Sequence, residues 1–346
     1  MAPSRHQEEA VLGAIEDRRN AVNEAVDEEL PVETPPHLYE ASRYLLDAGG
    51  KRLRPALLLL VGESLANVRP GDRDYRSFPT LDGEEIDLLK AAVSIEVIQS
   101  FTLIHDDIMD DDELRRGVPA VHEQFDTATA ILAGDTLYSK AFEIMLETGA
   151  APDRSLAALE VLAETCTQIC EGQAMDIDFE RRNDVTVPEY RRMIERKTAV
   201  LFSAAASIPA ILMGADDDTV DALARYGLGV GEAFQIHDDV LDLIATSDEL
   251  GKERGSDLQE GKRTLITIHA QQEGVDIANL VDRVRTDQQA IDEVVAELES
   301  VGSISFARGV ARSLVDESAD DLAALPDNEA RRLLDSLAGY LVEREY

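Results

Sequence analysis

Apolar residues recur every three or four positions along almost the whole chain, the spacing of amphipathic helices. No stretch alternates apolar and polar residues convincingly as a strand would. The first 30 residues read as an acidic amphipathic helix that stops at Leu30-Pro31, and Pro35-Pro36 prevents its continuation. Helical spacing resumes over 37–47, breaks at Gly49-Gly50 and returns after Lys51-Arg52-Leu53-Arg54-Pro55. Residues 67–83 mix charges with glycine and proline and read as a surface loop, and a long apolar helix follows from about Glu84 to Asp110. Further helices are predicted over 127–147, 153–180, 188–213, 216–245, 262–272 and 280–299, with the last ones reaching about 344. Loop signals separate them at Gly149 to Pro152, Val187-Pro188, Gly251 to Gly255 and Pro326. The pattern predicts an all-α protein built as a single domain over residues 1–346, with no clear internal boundary.

Composition supports that reading and adds one constraint. The 44% hydrophobic content is enough for a sizeable core, and glycine and proline are scarce. The balance of 70 acidic against 33 basic residues gives a formal charge of −37. Such a chain repels nucleic acid and anionic membrane surfaces, which excludes both as expected partners. Disorder is the usual correlate of so high a charge, but the apolar content is too high and too periodic for it. Adaptation to a very salty cytosol, where self-repulsion is screened, fits better. No run approaches 18 apolar residues, the longest being Ala56 to Val61, and the acidic N-terminus has no signal-peptide core, so a cytoplasmic protein with no transmembrane segment is expected. Cys166 and Cys170, four apart in an apolar helical stretch, have poor disulfide geometry and read as buried small hydrophobes.

The chemistry begins with repeated carboxylates. Asp106, Asp107 and Asp110, and then Asp238, Asp239 and Asp242, follow the pattern Asp-Asp-x-x-Asp. On a helix this turns the first and last carboxylates to one face with the second beside them. Three carboxylates so close repel one another, and a divalent cation with oxygen ligands relieves the repulsion; magnesium also bridges to diphosphate oxygens. In so acidic a chain a bare match means little, because Asp217, Asp218 and Asp221 match too. That third copy follows Met213-Gly214 at a predicted helix start, where acidic residues suit the dipole, and reads as a solvated cluster. The other two share the longer pattern Ile-His-Asp-Asp-apolar-apolar-Asp and sit inside apolar helices, where unpaired carboxylates are costly. Two facing copies could clamp a metal cluster around one diphosphate.

Basic residues point the same way. The chain has six lysines against 27 arginines, and four of the six, Lys51, Lys197, Lys252 and Lys262, stand in motifs flanked by glycine or threonine. Lysine is a compact point charge suited to phosphate, and Arg115-Arg116 adds fork-shaped donors just after the first acidic motif. Acid for metal and base for diphosphate in one chain form a specific combination.

These segments resemble the trans-prenyltransferase family, the farnesyl and geranylgeranyl diphosphate synthases, over nearly the whole chain. The similar segments are Gly49-Gly-Lys-Arg-Leu-Arg-Pro55, Asp106-Asp-Ile-Met-Asp110 with Leu114-Arg-Arg-Gly117, Gly172-Gln173, Lys197-Thr198, Gly231-Glu-Ala-Phe-Gln-Ile-His-Asp-Asp-Val-Leu-Asp242, Gly251-Lys252 and Gly261-Lys262. Lys252 and Lys262 stand one residue further apart than in some members. The resemblance implies antiparallel helices bundled around a deep central cavity, usually in a homodimer. It implies that Asp106, Asp107, Asp110, Asp238, Asp239 and Asp242 bind three magnesium ions with an allylic diphosphate. Arg115, Lys197, Lys252 and Lys262 would hold that diphosphate, with Thr198 and Gln235 at the reacting centre. Lys51, Arg54, Gln99 and Arg116 would bind isopentenyl diphosphate. His105 and His237 are expected to pack behind the site, because hard magnesium prefers oxygen.

The implied reaction is head-to-tail condensation of isopentenyl diphosphate with dimethylallyl, geranyl or farnesyl diphosphate. Phe101 and Thr102, five and four residues before Asp106, bear on product length. One bulky residue of the two resembles archaeal geranylgeranyl synthases and implies a C20 product, with C15 and C25 as alternatives. A terpene cyclase is disfavoured by the second aspartate motif and by Lys51 with Arg54, and a head-to-head synthase by Gly49 to Pro55. A non-catalytic partner subunit is disfavoured because none of the aspartates or basic anchors is missing.

Overall fold

The computed structural model describes residues 5–246, 254–287 and 290–343. In chain order its helices are α1 (Arg5–Glu29), α2 (Pro36–Asp47), α3 (Leu53–Leu65), α4 (Leu88–Met109), the single turn α5 (Val121–Gln124), α6 (Thr127–Leu146), α7 (Pro152–Phe179) and α8 (Val187–Ile194). A π-helical turn, Glu195–Ala199, joins α8 to α9 (Val200–Met213). Then come α10 (Asp217–Ile244), the short α11 (Ser256–Glu260), α12 (Leu265–Gln272), α13 (Ile277–Thr286), α14 (Ile291–Ser300), α15 (Ser303–Ala319) and α16 (Glu329–Glu343).

Local chemistry sets several of these boundaries. Pro36 opens α2, where its missing N–H is no loss. Thr186 and Glu189 form a reciprocal capping box at α8, and Asp216 caps α10 by accepting from the Thr219 N–H. Gly214 ends α9 with φ +81°. The third aspartate cluster lies just inside this start of α10, with Asp217, Asp218 and Asp221 all exposed to solvent.

Helices α3 and α9 are buried on nearly every side, which places them at the centre. There α3 packs on α4 and α9, while α9 packs on α10. Helix α6 covers α4, α15 covers α10, and α1 lies across α3, α4 and α16. One continuous core runs from Val11 to Val342. The stretches Leu88–Met109 and Val187–Met213 are long and apolar enough to cross a membrane, but most of each is buried inside the protein, as core helices are.

Three expectations need correction. The helix expected over 280–299 is two, α13 and α14, and α13 ends at Asp287, whose backbone is extended. The chain also contains two short antiparallel ribbons, Phe78–Pro79 with Glu85–Ile86 and Leu114–Arg115 with Val118–Pro119, each too short for a period of two to show. Residues 67–83 are more than surface loop: Phe78 is fully buried and stacks on Tyr75, whose hydroxyl donates to Glu63 at 2.7 Å. Glu63 also pairs with Arg18 of α1, both side chains 2% exposed, and so ties the N-terminal helix to the central α3.

Candidate active site

A cavity of about 810 Å³ opens where α4, α7, α10 and the π-helical turn converge. Its wall holds Asp106 and Asp110 from α4, Asp238 and Asp239 from α10, and Lys197 and Thr198 from the turn. Lys51, Arg54, Gln99, Arg115, Arg116, Gln235 and Lys262 also line it, as do Phe101 and Thr102. The candidates come together from segments spread over more than 200 positions of sequence. Lys252 lies outside the described residues.

Both aspartate motifs stand in the last turns of their helices. Helix C-termini carry partial negative charge, so carboxylates there meet an unfavourable dipole as well as one another. Two lysines answer the first motif. Lys197 Nζ lies 3.2 Å from Asp106 and 2.6 Å from Asp176 of α7, and Lys262 Nζ lies 3.2 Å from Asp110 and 2.7 Å from Glu260. Burial works against the charge on Lys197, but Asp106 and Asp176 more than offset it and hold the pKa above the usual lysine range. Burial raises Asp110, and proximity to Asp106 adds to it.

The middle aspartate of the first motif departs from expectation. Asp107 is fully buried behind the cavity wall and accepts from Arg115 Nε at 2.6 Å, while Asp112 accepts from the same guanidinium at 2.7 Å. Burial pushes Asp107 up to about 6 despite that partner, and its Oδ2 has no hydrogen bond. A step of one residue rotates a side chain about 100° around the helix, enough to turn Asp107 away from the face of Asp106 and Asp110.

In the second motif the last residue is the one turned away. Asp242 accepts from Ser256 Oγ at 3.0 Å and from the Asp257 N–H at 3.3 Å, holding α11 against α10. Asp239 remains in the wall. It accepts from the Tyr190 hydroxyl at 2.6 Å and from Gln235 Nε2 at 2.9 Å, and Gln235 Oε1 in turn accepts from the Thr198 hydroxyl at 2.8 Å. Burial first, and Asp257 second, push Asp239 up to about 8, against the pull of those two hydrogen bonds.

Lys197 and Thr198 sit on the π-helical turn, a feature common at functional sites. The turn packs against α7 at Gly172, where a Cβ would stand 2.3 Å from the Lys197 backbone nitrogen. Next along α7, Gln173 is buried in the cavity wall with neither amide atom hydrogen-bonded. On the far side Arg54 lies 4.2 Å over the Phe202 ring, its Nε has no partner, and burial lowers it to about 10.

A family model described as polyprenyl synthetase matches residues 35–299. The chain belongs to this family. It is 65% identical, over 97% of its own length and 98% of the relative's, to a geranylfarnesyl diphosphate synthase from Natronomonas pharaonis. The structure superposes on a geranylgeranyl pyrophosphate synthetase from Geoglobus acetivorans with a TM-score of 0.84 at 41% identity, covering 96% of this chain and 99% of the other. It also matches a Caulobacter crescentus polyprenyl synthase complexed with calcium and isoprenyl diphosphate, with a TM-score of 0.82 at 30% identity over 99% of each chain. The chain is thus a prenyl diphosphate synthase with the all-α isoprenoid synthase fold, a prenyltransferase of isoprenoid synthesis.

In this synthase the donor set fits a hard cation. Asp106, Asp110, Asp238 and Asp239 present carboxylate oxygens at the negative ends of two helices, and Asp107 Oδ2 lacks a partner behind them. Among the described residues no three acidic, histidine or cysteine side chains gather into a ready-made metal site. His105 hydrogen-bonds the Ile131 carbonyl at 3.2 Å and packs on α6, and His237 is buried. Cys166 is buried as expected, but Cys170 is exposed and lines the cavity wall.

Proposed function

We propose that this synthase condenses isopentenyl diphosphate with an allylic diphosphate in a magnesium-dependent reaction that ends at geranylgeranyl diphosphate, C20. The observation that supports it most is the gathering of two carboxylate pairs, from the ends of α4 and α10, in one cavity with Lys197, Lys262 and Arg54. Asp106, Asp110, Asp238 and Asp239 would hold the ions, three by family resemblance. Bound there, magnesium supplies positive charge to the oxygens of the departing diphosphate.

The chain's own residues do the rest. Lys197, fixed between Asp106 and Asp176, places a permanent positive charge beside the diphosphate as the C1–O bond breaks and the electron pair leaves with oxygen. The Thr198 hydroxyl donates a hydrogen bond to Gln235 Oε1, which leaves its oxygen lone pairs for the allylic cation. Tyr190, through Asp239, keeps Gln235 in that orientation. Lys51, Arg54, Gln99 and Arg116 bind the isopentenyl diphosphate, whose double bond attacks C1. The proton then lost passes to the diphosphate leaving group. Apolar wall residues such as Phe101, Ile169 and Ile177 exclude water from the cation.

Incubating the protein with labelled isopentenyl diphosphate, magnesium and each allylic starter should give a C20 product that disappears when a chelator is added. No condensation from folded protein would move a non-catalytic subunit to the front. A second reading, a C25 product, is favoured by the 65% identity to the geranylfarnesyl synthase, and sizing the product separates the two.

Phe101 supports the shorter product. It lies about 7.5 Å along α4 from Asp106, and its ring meets Tyr138 edge-on at 5.4 Å and His105 at 5.0 Å. Phe101→Ala is expected to lengthen the product by at least one isoprene unit, and an unchanged size distribution would refute its role as a floor. Exposed Ile131, Leu132, Tyr138 and Leu146 on α6, with Leu156 on α7, support the homodimer that the family resemblance implies.

A further inference from the structure

One buried acid has no part in the mechanism above. Glu96 of α4 is 3% exposed and lies in the cavity wall three residues before Gln99. A carboxylate is a poor neighbour for a bound diphosphate unless its charge is already taken up. Here Arg52 donates to its Oε1 with both side chains buried, and Arg116 Nη2 reaches the same oxygen at 3.4 Å.

The two arginines share an unusual backbone. Arg52 has φ +50° and Arg116 φ +55°, the left-handed region that costs a side-chain-bearing residue about 1–2 kcal/mol. Such residues persist where the surroundings fix them, and they cluster at working sites. Arg116 stands with Gly117 (φ +76°) at the two-residue turn of the Leu114–Pro119 ribbon, the positive pair of a type I′ hairpin. Its Nη1 donates to the carbonyl oxygens of Leu45, at 2.9 Å, and Gly49. Its guanidinium lies flat on Gly50, where a Cβ would stand 3.0 Å from Cζ. Arg52 in turn donates to the Leu46 carbonyl at 2.6 Å and to Asn23 of α1 at 3.0 Å. Glu96 is therefore where the 49–52 segment and the Arg116 hairpin are fastened together, with Lys51 carried on that segment and Arg54 in the first turn of α3 that follows it.

We propose that Glu96 is the positioning residue of the isopentenyl diphosphate subsite, acting through Arg116 and Arg52 without touching substrate. This rests on the assignment of Lys51, Arg54, Gln99 and Arg116 to that subsite. On the allylic side neither Lys197 nor Lys262 contacts Glu96, and Arg115, although on the same hairpin as Arg116, is held instead by Asp107 and Asp112. The effect of Glu96 is consequently confined to one substrate.

Glu96→Gln is expected to raise the KM for isopentenyl diphosphate about tenfold, the loss of one charge-assisted hydrogen bond. The KM for the allylic diphosphate and kcat at saturation should stay within about twofold. Glu96→Asp keeps the charge and should recover part of the difference. An unchanged isopentenyl KM in protein that melts like the parent, or both KM values rising together, would overturn the proposal. Should Glu96→Gln fail to fold, Glu96→Asp decides by the same split: a selective rise supports the proposal and none rejects it. Absence of condensation by the unmodified protein would instead reject the enzymatic reading on which this one stands.

Discussion

Replacing Lys197 with methionine is expected to lower kcat by about 10²–10³-fold, the usual effect of removing one preorganised charge at a transition state. Methionine matches the stem in length and apolar character, so the packing of the π-helical turn against α7 is kept. What disappears is a cation whose position is fixed twice, by Asp106 at 3.2 Å and Asp176 at 2.6 Å. Because these acids keep it protonated, the loss should be the same across the working pH range of the enzyme. Steady-state kinetics with a saturating allylic substrate read the effect, with a thermal melt as control. A lowered melting temperature with kcat intact would make Lys197 a structural counter-ion for the aspartates and nothing more.

Asp239→Asn should be nearly as damaging, with kcat down by about 10²–10³-fold and a raised magnesium requirement. The carboxylate accepts on both oxygens, from Tyr190 and from Gln235. An asparagine must turn its NH2 toward one of those donors, breaking one hydrogen bond in a buried place. If Gln235 is the one displaced, its amide loses the orientation in which Oε1 accepts from Thr198. Tyr190→Phe tests the chain from its other end, removing a single hydrogen bond while keeping the charge, and should cost far less. Equal losses in the two variants would show that the hydrogen-bond chain outweighs the carboxylate charge.

Much of this site is legible in the sequence because its chemistry is local. Asp106 and Asp110 share a helix face at i, i+4, and the repeated Ile-His-Asp-Asp separates both working motifs from the exposed copy at Asp217. Facts that depend on packing between elements are not legible. Nothing in Glu195–Ala199 announces a π-helical turn, since its register is settled by contact with α7. Asp107 and Asp242 have the same side chain as their neighbours, yet face Arg115 and α11 because of where the helix rotation leaves them. Asp176 stands three residues after Gln173, a helical spacing that could have drawn attention to it. Glu96 left a fainter signal, one charge in the apolar run Val93 to Ile98. The end of α13 at Asp287 left none, because neither glycine nor proline stands there.

The clasp between Arg18 and Glu63 acquires a particular meaning in so acidic a protein. In brine near 1 M the Debye length is about 3 Å. Exposed pairs such as Arg283 with Glu293, across α13 and α14, then hold little. Arg18 and Glu63 are sealed from the medium, and mobile ions do not reach between them. The salt that quiets repulsion across the outer surface therefore leaves this attachment untouched, and α1 is fastened to α3 by a bond insulated from the solvent the surface is suited to.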